Sequence, residues 1–209
     1  MQIKICGITR EEDLAEILKE GLFAVGFVTF KKSPRFVTVE QVKELCKNIP
    51  KNVKKVAVTV DDSIEQLQAY MAAGIDVIQL HGPASYHNLD FASALGDVEL
   101  WRAIRLKSED EIAEYKDFPC SAFVIDSFVK DSTIPGGTGH LANWELSKQF
   151  VEAVTKPVYL AGGISADNIC EAEREVAPSA YDLSSSVEIS PGIKSAEKIK
   201  ALFEVINNA

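Results

Sequence analysis

The sequence predicts a single-domain α/β fold, a closed (β/α)8 barrel of the TIM class. Three observations carry that reading. Short apolar runs alternate strictly with segments of helical periodicity, eight of each, over 209 residues. Runs such as 55–60 and 157–161 are apolar on more than one face, which suits parallel strands covered by helices. No glycine-rich dinucleotide fingerprint follows the first strand, so the doubly wound open sheet is the weaker alternative. Residues 1–209 are accordingly read as one barrel domain with little room for an addition.

The first strand, at 2–6, is β-branched, too short for a helix, and stops abruptly at Cys6-Gly7. Acidic amphipathic sequence over 10–20 follows as the first helix. Further strands are expected at 22–28, 55–60, 76–80, 99–105, 121–126, 157–161 and 179–184. Helices are expected at 38–48, 63–73, 85–95, 108–116, 144–154, 165–175 and 195–207. Ser63, Ser108 and Ser195 stand where helix N-caps belong, and Gly21, Gly74 and Gly96 where helices end. Units two and six are long, and their extra residues, 29–37 and 127–143, follow the strand. In a barrel that is the C-terminal face, where chemistry is placed.

Bulk properties narrow the function classes. A formal charge of −9 disfavours non-specific nucleic-acid binding but leaves room for a phosphate held by local amides. No apolar run reaches the ~18 residues that span a bilayer, and the N-terminus carries no leader-like stretch. Cys6, Cys46, Cys120 and Cys170 are far apart, which argues against disulfides or a zinc site and fits a reducing cytoplasm.

Several residues sit where a barrel would use them. Cys6 ends strand one, either as an inert small hydrophobe or as a base whose thiol is drawn down from ~8.5 by a nearby cation. Arg35, introduced rigidly by Pro34, either receives a carboxylate or phosphate or caps the next helix from solvent. His81 ends strand four, as a ligand contact or a partner of neighbouring backbone. Asp126 ends strand six, as a general acid or a loop anchor. Gly136 and Gly137 belong to a glycine-rich loop suited to closing over a ligand. Gly162 and Gly163 follow strand seven, and Ser184 and Ser185 follow strand eight just after Asp182. Bare amides and hydroxyls at those two positions are the usual materials of a barrel phosphate site.

Taken in order, these pieces resemble the phosphoribosylanthranilate isomerase family of tryptophan biosynthesis across the whole chain. The ordered set is Lys4-Ile5-Cys6-Gly7-Ile8-Thr9, Gly26-Phe27 with Ser33-Pro34-Arg35, Gln79-Leu80-His81-Gly82, and Asp126 with Gly136-Gly137-Thr138-Gly139. Ala161-Gly162-Gly163 with Asn168, Asp182-Leu183-Ser184-Ser185, Val187-Glu188 and Pro191-Gly192-Ile193-Lys194 complete it. The resemblance implies an Amadori rearrangement of N-(5-phosphoribosyl)anthranilate to 1-(2-carboxyphenylamino)-1-deoxyribulose 5-phosphate. It implies Cys6 as general base, Asp126 as general acid and Arg35 on the anthranilate carboxylate. His81, Gly136, Gly137 and Asp182 would contact substrate, and Gly162, Gly163, Ser184 and Ser185 would hold its phosphate.

No metal or other cofactor is implied, and the partners expected are the phosphoribosyl substrate and, at most, a second copy (monomer or homodimer). The chain departs from the family pattern at four places. Serine replaces the usual glycine at 186, where its Cβ is expected to disturb the phosphate loop. Ala142-Asn143-Trp144 replaces Phe-Asp-Trp, strand three ends in Val-Thr-Val-Asp, and Ala166 stands where proline is common. Two other functions compete: a related aldose–ketose isomerase, which would carry aspartate in place of Cys6, and a barrel that binds a phosphosugar without turnover.

Overall fold

Each apolar run becomes a strand because alternate residues face two dry environments, a helix layer outside and the barrel axis inside. The computed structural model describes residues 1–60, 62–82, 93–96, 98–126 and 143–209. Its strands are β1 (Ile3–Cys6), β2 (Ala24–Val28), β3 (Lys54–Thr59), β4 (Val77–Leu80), β5 (Glu99–Ile104), β6 (Ala122–Ile125), β7 (Val158–Leu160) and β8 (Ala180–Leu183). They pair in parallel in sequence order, and β8 closes onto β1 with Lys4 opposite Asp182. The eight-stranded closed barrel is the expected architecture.

Around it lie α1 (Glu11–Ile17), α2 (Val39–Cys46), α3 (Ile64–Ala72), α4 (Asp110–Tyr115), α5 (Trp144–Ala153), α6 (Ile169–Glu175) and α7 (Ala196–Asn207). Ser63 caps α3 in a reciprocal box with Gln66, and Ser195 accepts from the Lys198 amide at 3.3 Å, both as expected. Asn143 caps α5 by accepting from the Leu146 amide at 3.2 Å. Asparagine therefore does there what aspartate would do.

Ser108 is a correction. The helix begins at Asp110, and Ser108 offers the Glu111 amide only its backbone carbonyl, while the Glu111 carboxylate turns back to the Lys107 amide. The expected helix at 165–175 starts four residues late, because Asn168 folds its own side chain onto the Ser165 amide and the Gly163 carbonyl. The first helix tightens to a 3-10 turn over Leu18–Glu20 before Gly21. The helix expected at 85–95 lies mostly outside the described residues.

Two apolar clusters result. Ile3, Ile5, Val25, Phe27 and Ile78 face outward onto Leu14, Val42, Leu67, Phe150 and Leu202 of the helices. Val56, Val58, Val77, Trp101, Val124 and Tyr159 fill the barrel itself. One element was not foreseen from sequence. After a 3-10 turn at Ser185–Val187, β9 (Glu188–Ser190) and β10 (Ile193–Lys194) form an antiparallel hairpin around Pro191-Gly192.

Candidate active site

At the C-terminal end of the barrel an open cleft of about 850 Å³ is lined by Cys6, Arg35, His81, Asp126, Gly162, Gly163, Asp182, Ser184 and Ser185. These are all of the sequence-predicted site residues that are described. Gly136 and Gly137 lie outside the described residues.

Cys6 is placed by its neighbours. Its register partner on β2 is Gly26, where a Cβ would sit 2.8 Å from the Cys6 sulfur, so only glycine leaves room for the thiol. Its carbonyl receives the Lys194 ammonium at 2.6 Å and the Ser184 hydroxyl at 3.1 Å. Two residues earlier on the same inward face, Lys4 is almost wholly buried and its Nζ lies 2.6 Å from Asp182 Oδ2. Burial works against that ammonium, but Asp182 and Cys6 outweigh it and hold its pKa above the ordinary lysine value.

The thiol does not move in the direction a base requires of the isolated residue. Burial pushes its pKa up, Lys4 and Lys194 pull it down, and Asp182 adds to the rise. The result is a thiol above its ordinary value.

Arg35 is neither a solvated cap nor a free guanidinium. Its Nε donates to Glu188 Oε1 at 2.9 Å and its Nη2 to Oε2 at 2.7 Å, with the residue only 7% exposed. Glu188 also receives Lys194 Nζ at 2.8 Å and the Gly192 amide at 3.2 Å. Burial pushes the Glu188 carboxyl up, but its two cations outweigh it and hold it below the usual range. Lys194 is drawn below its ordinary value by burial, offset only in part by Glu188. Gly7 completes the arrangement: at φ 78° it lets Arg35 pass where a Cβ would meet its Cδ at 2.6 Å. An arginine held on two nitrogens by a carboxylate is rigidly oriented, and its Nη1 makes no hydrogen bond in the described structure.

Across the cleft, Asp126 is buried and receives a hydrogen bond from Arg105 at 3.4 Å. His81 pairs its Nε2 with the Gln79 amide at 3.0 Å. Burial, reinforced by Arg105, Lys4 and Arg102, pulls the imidazole down to about 3, so it is neutral near pH 7.

The loops after β7 and β8 face one another. Gly162 and Gly163 both take left-handed φ (78° and 73°), and the 3-10 turn at Ser185–Val187 opens beside them. The expectation for Ser186 is corrected here. Among the described non-glycine residues only Ala177 has a positive φ, so the backbone at 186 accepts a side chain without strain. The Ser186 hydroxyl oxygen is buried, lines the cleft and has no hydrogen-bond partner among the described residues.

Sequence reading thus found the rim and missed its support. Lys4, Gln79, Glu188 and Lys194 stood in the quoted motifs without roles, and Arg105 and Ser186 had no assigned contact. For Lys4 a signal was present: a lysine alternating with Cys6 on an otherwise apolar strand points inward.

Comparison with known proteins comes to the same barrel. The family model described as N-(5'phosphoribosyl)anthranilate (PRA) isomerase matches residues 3–205. The N-(5'-phosphoribosyl)anthranilate isomerase of Syntrophus aciditrophicus is 34% identical over 98% of this chain and 86% of its own length. The crystal structure of phosphoribosyl anthranilate isomerase from Thermus thermophilus superposes with a TM-score of 0.87 at 33% identity, covering 100% of this chain and 99% of that one. A phosphoribosyl anthranilate isomerase in complex with reduced 1-(o-carboxyphenylamino)-1-deoxyribulose 5-phosphate superposes at 0.83 with 26% identity, each chain covered in full.

Proposed function

This chain belongs to the N-(5'-phosphoribosyl)anthranilate isomerase family, an isomerase of tryptophan biosynthesis, and from that premise we propose that Cys6 is its general base and Asp126 its general acid. The observation that carries the reading is placement. Cys6 ends β1 and Asp126 follows β6, on opposite walls of one cleft, with an oriented guanidinium and a glycine–serine loop pair along its rim.

The chemistry needs one acid and one base. A protonated Asp126 gives its proton to the furanose ring oxygen as the C1–O bond breaks, and the anilino nitrogen supplies electrons to form the iminium. Thiolate Cys6 then takes the proton from C2, and the electron pair left behind neutralises the iminium as an enolamine. Tautomerisation to the ketone leaves C2 oxidised and C1 reduced within one molecule, so no external electron acceptor enters the balance.

Arg35 Nη1 holds the anthranilate carboxylate, its other face being fixed by Glu188. The phosphate rests on the backbone of Gly162 and Gly163 and on the amides and hydroxyls of Ser184 and Ser185. Neutral His81 and Asp182 Oδ1, which has no partner among the described residues, are suited to sugar hydroxyls. The relative solved with a reduced deoxyribulose 5-phosphate compound supports a phosphosugar of this size in the corresponding cleft.

Turnover is followed as loss of anthranilate-type fluorescence when the substrate is formed in situ from anthranilate and phosphoribosyl pyrophosphate. Wild type consumes it. Cys6→Ala and Asp126→Asn each lose about 10²–10⁴-fold in kcat while still binding the product. Near-normal kcat in either variant removes that residue from its role. A barrel that binds the phosphosugar without turnover is the competing reading, and wild type that matches background while still binding product would favour it.

A further inference from the structure

Beneath Cys6, two residues earlier on the same inward face, the barrel buries a full ion pair. Lys4 is 1% and Asp182 9% exposed, their backbones are register partners across β1 and β8, and Nζ and Oδ2 are 2.6 Å apart. A pair so deep is no cheaper for stability than apolar side chains of the same volume. It is also asymmetric. The Lys4 ammonium donates to Asp182 Oδ2 and stands two residues before Cys6 on the same inward face, where its charge favours the thiolate, while Asp182 Oδ1 is buried without a partner among the described residues.

Resting on Cys6 as the base, we propose that Lys4 is a positioning residue for it: the Lys4 ammonium, divided between the Asp182 carboxylate and the Cys6 sulfur, stabilises the thiolate, and Asp182 sets how much of that charge the sulfur receives. One of the three ammonium donors is spent on Asp182, and the charge acts on both anionic groups at once. Other charges face the sulfur from around the cleft. Lys194 of β10 favours the thiolate and is already shared with Glu188 and two carbonyls. Arg35 is bound to Glu188, and Asp126 stands on the far wall with Arg105. His81 on the β4 side is neutral, in part because of Lys4 itself. Lys4 is therefore the cation beneath the catalytic sulfur whose charge is balanced by one tunable carboxylate.

The two ends of the pair act on the thiol with opposite sign, which makes the test directional. Cys6 of the empty, intact enzyme is alkylated with iodoacetamide from pH 6 to 10, and peptide mass spectrometry separates it from Cys46, Cys120 and Cys170. Lys4→Met is expected to slow Cys6 alkylation at pH 8 by tenfold or more. It should lower kcat at neutral pH by at least as much, move the acid limb of the kcat profile upward, and leave KM within about threefold. Asp182→Asn is expected to speed the alkylation, because it frees the ammonium for the sulfur.

An unchanged alkylation rate in Lys4→Met, or both variants moving it the same way, overturns the proposal. If Lys4→Met does not fold, Asp182→Asn decides alone, and a slower or unchanged rate overturns it. Failure of the base assignment is a separate result: Cys6→Ala would keep turning over, while the alkylation rates still report whether Lys4 and Asp182 control the thiol.

Discussion

The two ends of this barrel's interior are built from opposite materials. At the N-terminal end Phe23, Trp101 and Tyr159 close the axis as an aromatic plug, with ring centroids 5.9, 5.6 and 4.7 Å apart. Its polar groups are few: the Trp101 indole donates to Glu99 at 2.8 Å, and Glu99 pairs with Lys54 at the rim. At the C-terminal end Lys4, Arg35, Asp182, Glu188 and Lys194 are all buried, and polar atoms of Gln79, Asp182 and Ser186 have no partner among the described residues. One end gains from dispersion and exclusion of water, while the other sustains desolvated charge and leaves hydrogen-bonding capacity open to a ligand. Stability and chemistry are therefore separable by position along the strand, and three substitutions test how cleanly.

The largest effect on stability belongs to the plug. Trp101→Ala is expected to cost about 3–5 kcal/mol in denaturant unfolding, while the folded fraction keeps its kcat and KM. A loss of kcat at constant folded fraction would show that the plug shapes the cleft. At the ionic end, Glu188→Gln leaves two cations, Arg35 and Lys194, without their counter-charge. A comparable loss, about 3 kcal/mol, is expected, and here KM should rise as well, because Arg35 loses the carboxylate that orients it. Unchanged KM would mean that Arg35 does not carry the substrate's carboxylate. The smallest effect is at the 3-10 turn after β8, the proposed phosphate loop. Ser186→Gly removes a hydroxyl without a partner among the described residues and should raise KM roughly fivefold, the worth of about 1 kcal/mol of hydrogen bond, with kcat little changed. A lower KM would identify the serine as a hindrance.

Much of the rim was legible because it obeys local rules. Cys6, Asp126, Asp182 and the Gly162–Gly163 pair stand at strand ends, and strand ends are read from apolar runs that stop. Ser63 and Ser195 were legible for the same reason, since a cap and its amide are three residues apart. Ser108 failed because Glu111 took over the turn with its own side chain.

Sequence by itself determined the eight-unit barrel and the residues that line the cleft at the C-terminal ends of its strands. Periodicities of two and 3.6 are properties of neighbouring residues, and eight repeats of a βα unit allow few ways of closing. Only the tertiary structure decided which charges meet. Arg35 finds Glu188 across 153 positions, Lys4 finds Asp182 across 178, and Lys194 reaches the Cys6 carbonyl across 188. Those contacts exist because closure brings β8 and the hairpin after it against β1. The balance of burial and charge on the Cys6 thiol is set there, among residues drawn from opposite ends of the chain.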